Sequence, residues 1–497
     1  MKKVIIIGGG IAGLGAAFKI KRAADAGADV DFVLLEKDDR LGGKIEGEIV
    51  ETERGAFIVD GGPDSFLNAK PAVHRMAKLT GIEGDKMPTD ESRKKTLILS
   101  RGMLYPMPDG VMMFAPTKFL PFATTGLFSW PGKIRAGMDL FVPKKRVPAG
   151  ERNDESLEDF IVRRMGREIL DRLAEPLVGG VHGSDPGQMS LAATFPNLLD
   201  MEQKYGNMIK GFLAQRKMVE DMKRKYPPDP KNPKTFFTAF TKGMHELSDA
   251  MADTAGRDKM RTMAAVTAVS RVENGVWTVT LADGEVVMGD AVIIATESWA
   301  AEPLVRSIDT QIADTLAAIP ASSSATVSFA FAEDEIGIDM NAFGVLCPAV
   351  EKRSLLAATY SSTKWPGRAP KGAVLLRGFV GGPNNQAVME KSDDEIREIA
   401  LSELRDILGI NPKAMPLFSR FYRWTLGMPQ YSMGHLDRVE LIEARSKDIA
   451  GLALAGGSYR GVGLPNCIES GEAAVSKVLG EWGIELAEDV TVASRAH

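Results

Sequence analysis

The first residues able to do chemistry are six consecutive positions near the start of the chain, Gly8-Gly9-Gly10-Ile11-Ala12-Gly13. They follow Val4-Ile5-Ile6-Ile7, an apolar β-branched run with the pattern of a buried parallel strand. Leu14 to Ile20 then reads as a helix. In such a unit Gly8 permits the tight turn and Gly10 lets the backbone approach a pyrophosphate. Gly13 lets the helix pack close to the strand, with its N-terminus facing the phosphates. A second strand, Val30 to Leu35, ends in Glu36-Lys37. Glu36 stands where an acid that binds ribose hydroxyls belongs, about 20 positions on. The whole is a dinucleotide-binding unit.

The same fingerprint serves NAD and FAD, so the choice rests on residues elsewhere. Arg40-Leu41-Gly42-Gly43-Lys44 offers a glycine pair that can run against an extended cofactor, with cations suited to a pyrophosphate. Asp60-Gly61-Gly62-Pro63-Asp64-Ser65 is a further glycine and proline turn, expected beside the reactive ring. Near the other end, Gly451 to Ala455 is a strand running into Gly456-Gly457 and Gly461-Val462-Gly463-Leu464-Pro465, followed by a helix from Ile468 to Leu479. Two such units at opposite ends of a chain suit FAD: one holds the ADP half, the other the flavin ring.

Composition bounds the rest. A chain of 497 residues is too long for one core, so two or three domains are expected. Net charge −5, with no basic stripe interleaved with aromatics, argues against nucleic acid. Cys347 and Cys467 are too few for a disulfide framework, which suits a reducing cytosol. Met1-Lys2-Lys3 runs straight into the first strand, so no signal peptide is expected, and no stretch approaches the ~20 apolar residues of a spanning helix.

The glycine fingerprint, the acid, the Leu41-Gly42-Gly43-Lys44 loop and the C-terminal glycine unit resemble the amine-oxidase-like FAD flavoproteins. Within them, Gly62-Pro63-Asp64-Ser65-Phe66-Leu67, Leu177-Val178-Gly179-Gly180-Val181-His182, Leu191-Ala192-Ala193-Thr194-Phe195-Pro196 and Tyr459 to Ile468 resemble the oxygen-dependent porphyrinogen oxidases. Thr125-Gly126-Leu127-Phe128, Lys364-Trp365-Pro366 and Met428-Pro429-Gln430-Tyr431 are most similar to the bacterial branch that oxidises coproporphyrinogen III. The resemblance implies an α/β fold: a Rossmann-like FAD-binding domain, a mixed-sheet substrate domain and an inserted helical domain. The expected boundaries are 1–66, 235–300 and 445–497 for FAD binding, 67–96 and 301–444 for substrate, and 97–234 for the insert.

The activity implied is oxidation of coproporphyrinogen III to coproporphyrin III in haem biosynthesis. It removes six electrons in three two-electron cycles, each releasing hydrogen peroxide when oxygen is the acceptor. Protoporphyrinogen IX oxidation on the same scaffold is the nearest alternative; an amine oxidase, a carotenoid desaturase or a non-enzymatic role for FAD are more distant. One non-covalent FAD per chain is expected, since no cysteine stands as in covalent relatives. A cytoplasmic location is implied, with weak peripheral membrane contact and a downstream haem-pathway enzyme as further partners.

The resemblance also carries residue roles. Val266 contributes backbone contacts to the adenine, the loop at Thr296 passes near the pyrophosphate, and Trp424 lies near the flavin. Lys70 matches a substrate-recognising lysine, and a propionate entering an apolar cleft needs such a cation. Gly180 matches a glycine that lets substrate lie against the backbone. Met112 occupies a slot where protoporphyrinogen-specific relatives carry arginine. The flavin does the hydride chemistry, so the catalytic base is unassigned. His74, His182, His245, His435 and His497 lack metal-ligand spacing, and no metal is expected. Prolines break the Met103 to Trp130 stretch, which reads as a buried lining of the substrate entrance rather than a long amphipathic helix. Ser156 with Asp159 opens a helix in the insert by a capping-box pattern.

Overall fold

A computed structural model describes residues 1–225, 235–272 and 275–484. Residues 226–234, 273–274 and 485–497 lie outside the described residues. The strand Lys2–Ile7 sits near the middle of a five-stranded parallel sheet. It pairs with Val30–Leu35 on one side and Ala291–Ile294 on the other. Met260–Arg261 and Leu452–Leu454 form the two edges. Strands buried on both faces read as unbroken apolar runs, and Val4, Ile5 and Ile6 are fully buried.

The first helix, Ile11–Asp25, lies against the last, Leu464–Glu481. Their approach is set by small residues: a Cβ on Gly471 would come within 2.0 Å of the Ala12 carbonyl oxygen. Ends of the chain more than 400 residues apart thus share one core.

The second layer is a seven-stranded mixed sheet, in the order Phe418–Pro429, Ala321–Ala332, Ala373–Gly381, Leu355–Tyr360, Gly344–Leu346, Thr96–Ser100, Met103–Pro106. The helix Asp393–Leu408 packs on it, opened by a capping box between Ser392 and Glu395. Thr96–Ser100 and Met103–Pro106 fall in the stretch that sequence reading gives to a helical insert, yet they extend this sheet by pairing with Gly344–Leu346 and with each other. Helices then run from Phe119 to Lys225 around their own apolar cluster. Ser156 caps Leu157–Met165 as expected, its Oγ accepting from Asp159 N at 3.0 Å. Leu170–Ala174 is a π-helical turn leading into Glu175–His182.

Met263 takes φ 53°, and regular pairing resumes at Val266–Arg271. One expectation needs correction. The Met103 to Trp130 stretch is not a uniformly buried lining. Phe114, Phe122, Leu127 and Phe128 are in the core, while Phe119 is 85%, Leu120 69% and Trp130 66% exposed. The short helices Phe119–Thr124 and Trp130–Gly137 each have two faces, and only one meets the core.

Candidate active site

The N-terminal glycines divide by what surrounds them. Gly8 has φ 105°, and a Cβ there would lie 2.8 Å from the Ala295 carbonyl oxygen, close to Thr296. A Cβ on Gly13 would lie 1.9 Å from Gly8 O, so the turn and the helix start demand glycine. Gly10 differs: nothing lies within 4 Å of its missing Cβ. It is the N-cap of the first helix, with no side chain to fill the space beside the helix start. That space, before a helix N-terminus, suits a diphosphate.

The walls of this cradle come from the predicted loop. Gly42 bridges Gly10, its N–H donating to Gly9 O at 2.9 Å, and Gly43 folds over Gly10. Glu36 accepts from Gly9 N at 2.6 Å and from Asp38 N at 2.9 Å. It thus braces the glycine turn, with Leu35 buried behind it. Lys37 is exposed beside Asp38. The loop cations are engaged by carboxylates: Lys44 Nζ pairs with Glu297 at 2.5 Å, and Arg40 with Glu46 at 2.6 Å. Val266 begins its strand at the sheet's edge side, half-buried.

The C-terminal unit is held from below through its carbonyls. Tyr431 OH donates to Gly457 O at 2.7 Å. His435 Nε2 meets Tyr459 O at 2.7 Å, its ring stacked on Tyr431 at 3.9 Å. Burial pushes the His435 imidazole down to about 4. Gly456 N donates to Ser470 Oγ, and Gly461-Val462-Gly463 leads into the helix Leu464–Glu481, capped by Gly463. Lys70 reaches this unit: its Nζ donates to Asn466 Oδ1 at 2.6 Å. Burial pushes the Cys467 thiol up to about 12, with Lys44 and Lys70 nearby opposing that shift.

Between the two units stands Gly61-Gly62-Pro63-Asp64. A Cβ on Gly62 would lie 1.7 Å from Lys44 O, so this turn packs directly on the glycine loop. Trp424 Nε1 donates to Gly61 O at 3.2 Å. Asp64 pairs with Lys364 at 3.0 Å and accepts from Trp365 Nε1 at 3.2 Å. Burial alone would raise its pKa, but Lys364 and Arg377 hold the carboxyl well below the usual range. Gly180 and His182 lie on the helix Glu175–His182, and Met112 on a short strand; the surroundings of these side chains lie outside the described residues. Gly183, just beyond, accepts from Gln430 Nε2 at 2.9 Å.

The fold therefore brings together both glycine units, the 61–64 turn, Trp424 and Lys70. Sequence reading missed Arg377, Arg368, Tyr431 and His435 as parts of this region. Arg377 left a signal: a lone cation in the apolar strand Ala373–Gly381. Tyr431 stands in the Met428-Pro429-Gln430-Tyr431 motif with no role attached, and His435 left no signal until packing places both under the second loop. Among the described residues no His, Cys, Asp and Glu cluster is arranged to hold a metal.

Two strand–glycine–helix units on one parallel sheet, with a third glycine turn packed on the first unit's loop, are the frame of a flavin-containing oxidoreductase. The chain belongs to the flavin containing amine oxidoreductases, which residues 11–479 match, and within them to the porphyrinogen oxidases. It is 32% identical over 480 residues to a coproporphyrinogen III oxidase of Bacillus subtilis (strain 168), covering 96% of this chain and 98% of that one. It is 31% identical over 492 residues to the chloroplastic protoporphyrinogen oxidase 1 of Spinacia oleracea, covering 96% and 84%. An Exiguobacterium sp. 255-15 crystal structure, provisionally named protoporphyrinogen oxidase, superposes with a TM-score of 0.82 at 27% identity, covering 97% and 99%. The cyclohexylamine oxidase of Brevibacterium oxydans IH-35A, at 18% identity, shares the fold with a TM-score of 0.67 over 97% and 99%. The chain is thus a flavin-dependent oxidoreductase.

Proposed function

We propose that the protein binds one FAD non-covalently and uses oxygen to oxidise coproporphyrinogen III to coproporphyrin III in haem biosynthesis. The observation that carries this reading is the end-to-end match to coproporphyrinogen III oxidases from several bacteria, the first at 32% identity. Bound flavin supplies two-electron oxidation and returns the electrons to oxygen as peroxide, three per porphyrin.

The protein's own groups bind and orient. Gly8 to Gly13, Leu35-Glu36-Lys37, Gly42-Gly43-Lys44, Val266 and Thr296 hold the ADP half; the open space at Gly10 fits its diphosphate. Gly61 to Asp64, Trp424, Gly456 and Gly461 to Gly463 hold the ring half. Non-covalent binding is favoured by Cys467, whose thiol, pushed up to about 12, is protonated at neutral pH and is a poor nucleophile. Lys70 and Gly180 receive the substrate. Residues 1–66, 235–300 and 445–497 form the cofactor-binding part, 67–96 and 301–444 the substrate part, and the helices after Met103–Pro106 the insert.

Protoporphyrinogen IX oxidation is the second reading, favoured by the spinach match at 31%. Assaying both porphyrinogens under matched detergent separates the two. Faster turnover of coproporphyrinogen III, with three peroxides per porphyrin, is expected; the reverse preference moves the protein to the second reading.

We also propose a cytoplasmic location with weak peripheral membrane contact. Among the described residues no helix is long and apolar enough to cross a bilayer. Phe119, Leu120, Trp130 and Phe141, all on the insert, are each exposed. Residues 101–150 carry seven Lys or Arg against two Asp, in a chain of net charge −5. Basic and aromatic together suit an anionic interface. Co-sedimentation with phosphatidylglycerol but not phosphatidylcholine vesicles is expected, and binding to neither ends this part of the reading.

A further inference from the structure

The Gly61 carbonyl takes three donors: Thr326 Oγ1 at 2.6 Å, Arg377 Nη2 at 2.7 Å and Trp424 Nε1 at 3.2 Å. Arg377 Nη2 also donates to Gly62 O. Arg377 is only 3% exposed, and among the described residues no carboxylate sits within ion-pair distance of it. The two nearest acids have partners of their own. Asp64 is paired with Lys364, and Asp60 with Arg368 at 3.0 Å. The cluster therefore holds three cations against two carboxylates, all largely removed from solvent. The cavity bounded by Asp60, Asp64, Arg368 and Arg377 measures about 10 Å³, room for no more than a single water, so little solvent lies among these charges.

A buried guanidinium addressed to two carbonyls is a costly way to anchor a turn. Thr326 and Trp424 already donate to the same oxygen and carry no charge. What Arg377 adds over them is the charge itself, fixed one hydrogen bond behind the turn. A fixed cation in a dry surrounding lowers the energy of negative charge arriving nearby.

We propose that Arg377 is a positioning residue that clamps the Gly61-Gly62 turn and, by its charge, makes a flavin seated against that turn easier to reduce. This rests on the proposed placement of the flavin ring at residues 61–64. The charge acts on an equilibrium between oxidised and reduced cofactor, with electrons supplied by the substrate.

The test is the midpoint potential of the flavin in the purified holoprotein, measured by equilibration with a reference dye, with flavin content and melting temperature recorded in parallel. Arg377→Gln keeps a donor and removes the charge. It should lower the reduced-to-oxidised ratio at a fixed potential about tenfold, a shift of about 30 mV for a two-electron couple. Arg377→Lys should recover most of that loss. Asp64→Asn removes a negative charge from the same cluster and should shift the potential upward. Thr326→Val breaks a bond to Gly61 O without touching charge and should leave the potential where it was. A wild-type potential in a flavin-loaded Arg377→Gln protein overturns the proposal, as does an equal fall in Thr326→Val. If Arg377→Gln does not fold, Asp64→Asn decides: an unchanged or lower potential sinks the idea. A wild-type protein that holds no flavin is a different result, since it removes the functional reading beneath the proposal.

Discussion

The two glycine units follow strands of one sheet, a central strand for the first and an edge strand for the second, and are built by different means. In the first, the critical glycines are surrounded by backbone: Gly8 by Ala295, Gly13 by Gly8, with only Gly10 facing open space. That backbone is partly local, Gly8 O against Gly13, and partly distant, Ala295 against Gly8. In the second, the loop 456–463 is longer and is tied by side chains from elsewhere: Tyr431 and His435 bond its carbonyls, and Lys70 bonds Asn466 at the start of the following helix. The lesson is that the first glycine turn is shaped by backbone, whereas the second loop borrows its rigidity from neighbouring side chains.

Breaking the first unit should have the largest effect. Gly10→Val fills the only vacant glycine position, so the purified protein should be colourless while its far-ultraviolet circular dichroism is unchanged. A yellow Gly10→Val protein would mean that the diphosphate lies elsewhere.

The second unit should instead respond to pH through His435. Its folded value, about 4, lies below the ordinary 6.5, so between these limits the unfolded chain binds more protons. The stability contributed by neutral His435 is fully present above about 6.5 and is lost as pH falls toward 4, about 3 kcal/mol in all. Denaturant unfolding at pH 7 and 4.5 should show a smaller difference for His435→Gln than for the unsubstituted protein; identical differences would place the acid sensitivity in other groups.

How much of this contrast is legible in the sequence follows from its causes. The first unit can be read from spacing because its glycines stand at fixed offsets between a strand and a helix, although the chain that crowds Gly8, at Ala295, is far away in sequence. The helix Asp393–Leu408 and the strand Val30–Leu35 are equally plain from capping and periodicity. The side chains under the second loop cannot be read that way. Tyr431 and Gly457 meet only because the parallel strand Leu452–Leu454 returns beside Ala291–Ile294. The Phe119 to Trp130 stretch misleads for a related reason: apolar composition says what a segment would bury, and only packing says which face finds a partner.

Lys70 sharpens the comparison further, because it touches the second unit through Asn466. Lys70→Ala should lower kcat/KM with coproporphyrinogen III roughly ten- to a hundredfold, from a charge-assisted hydrogen bond of about 1.5–3 kcal/mol, with flavin content intact. Flavin loss in that variant would recast Lys70 as a brace of the cofactor loop, and unchanged kcat/KM would remove it from the site. The smallest effect should come from Tyr431→Phe. Losing its bond to Gly457 O should weaken FAD binding by about 1 kcal/mol, roughly fivefold, measurable by titrating apoprotein. No change would show that His435 alone holds the loop.

The pairing of the first and last helices has a consequence for how the chain comes to be folded. As the chain leaves the ribosome, Lys2–Ile7 and Val30–Leu35 emerge early, but the strand that covers the open edge, Ala291–Ile294, is made much later. The glycine-lined face of Ile11–Asp25 waits longer still, for Gly471. A half-made molecule therefore carries an unpaired strand edge and a bare apolar helix face for most of its synthesis, the condition in which nascent chains aggregate or engage chaperones. The nucleotide cradle, complete in sequence by the thirteenth residue, becomes a rigid object only when nearly the whole protein exists.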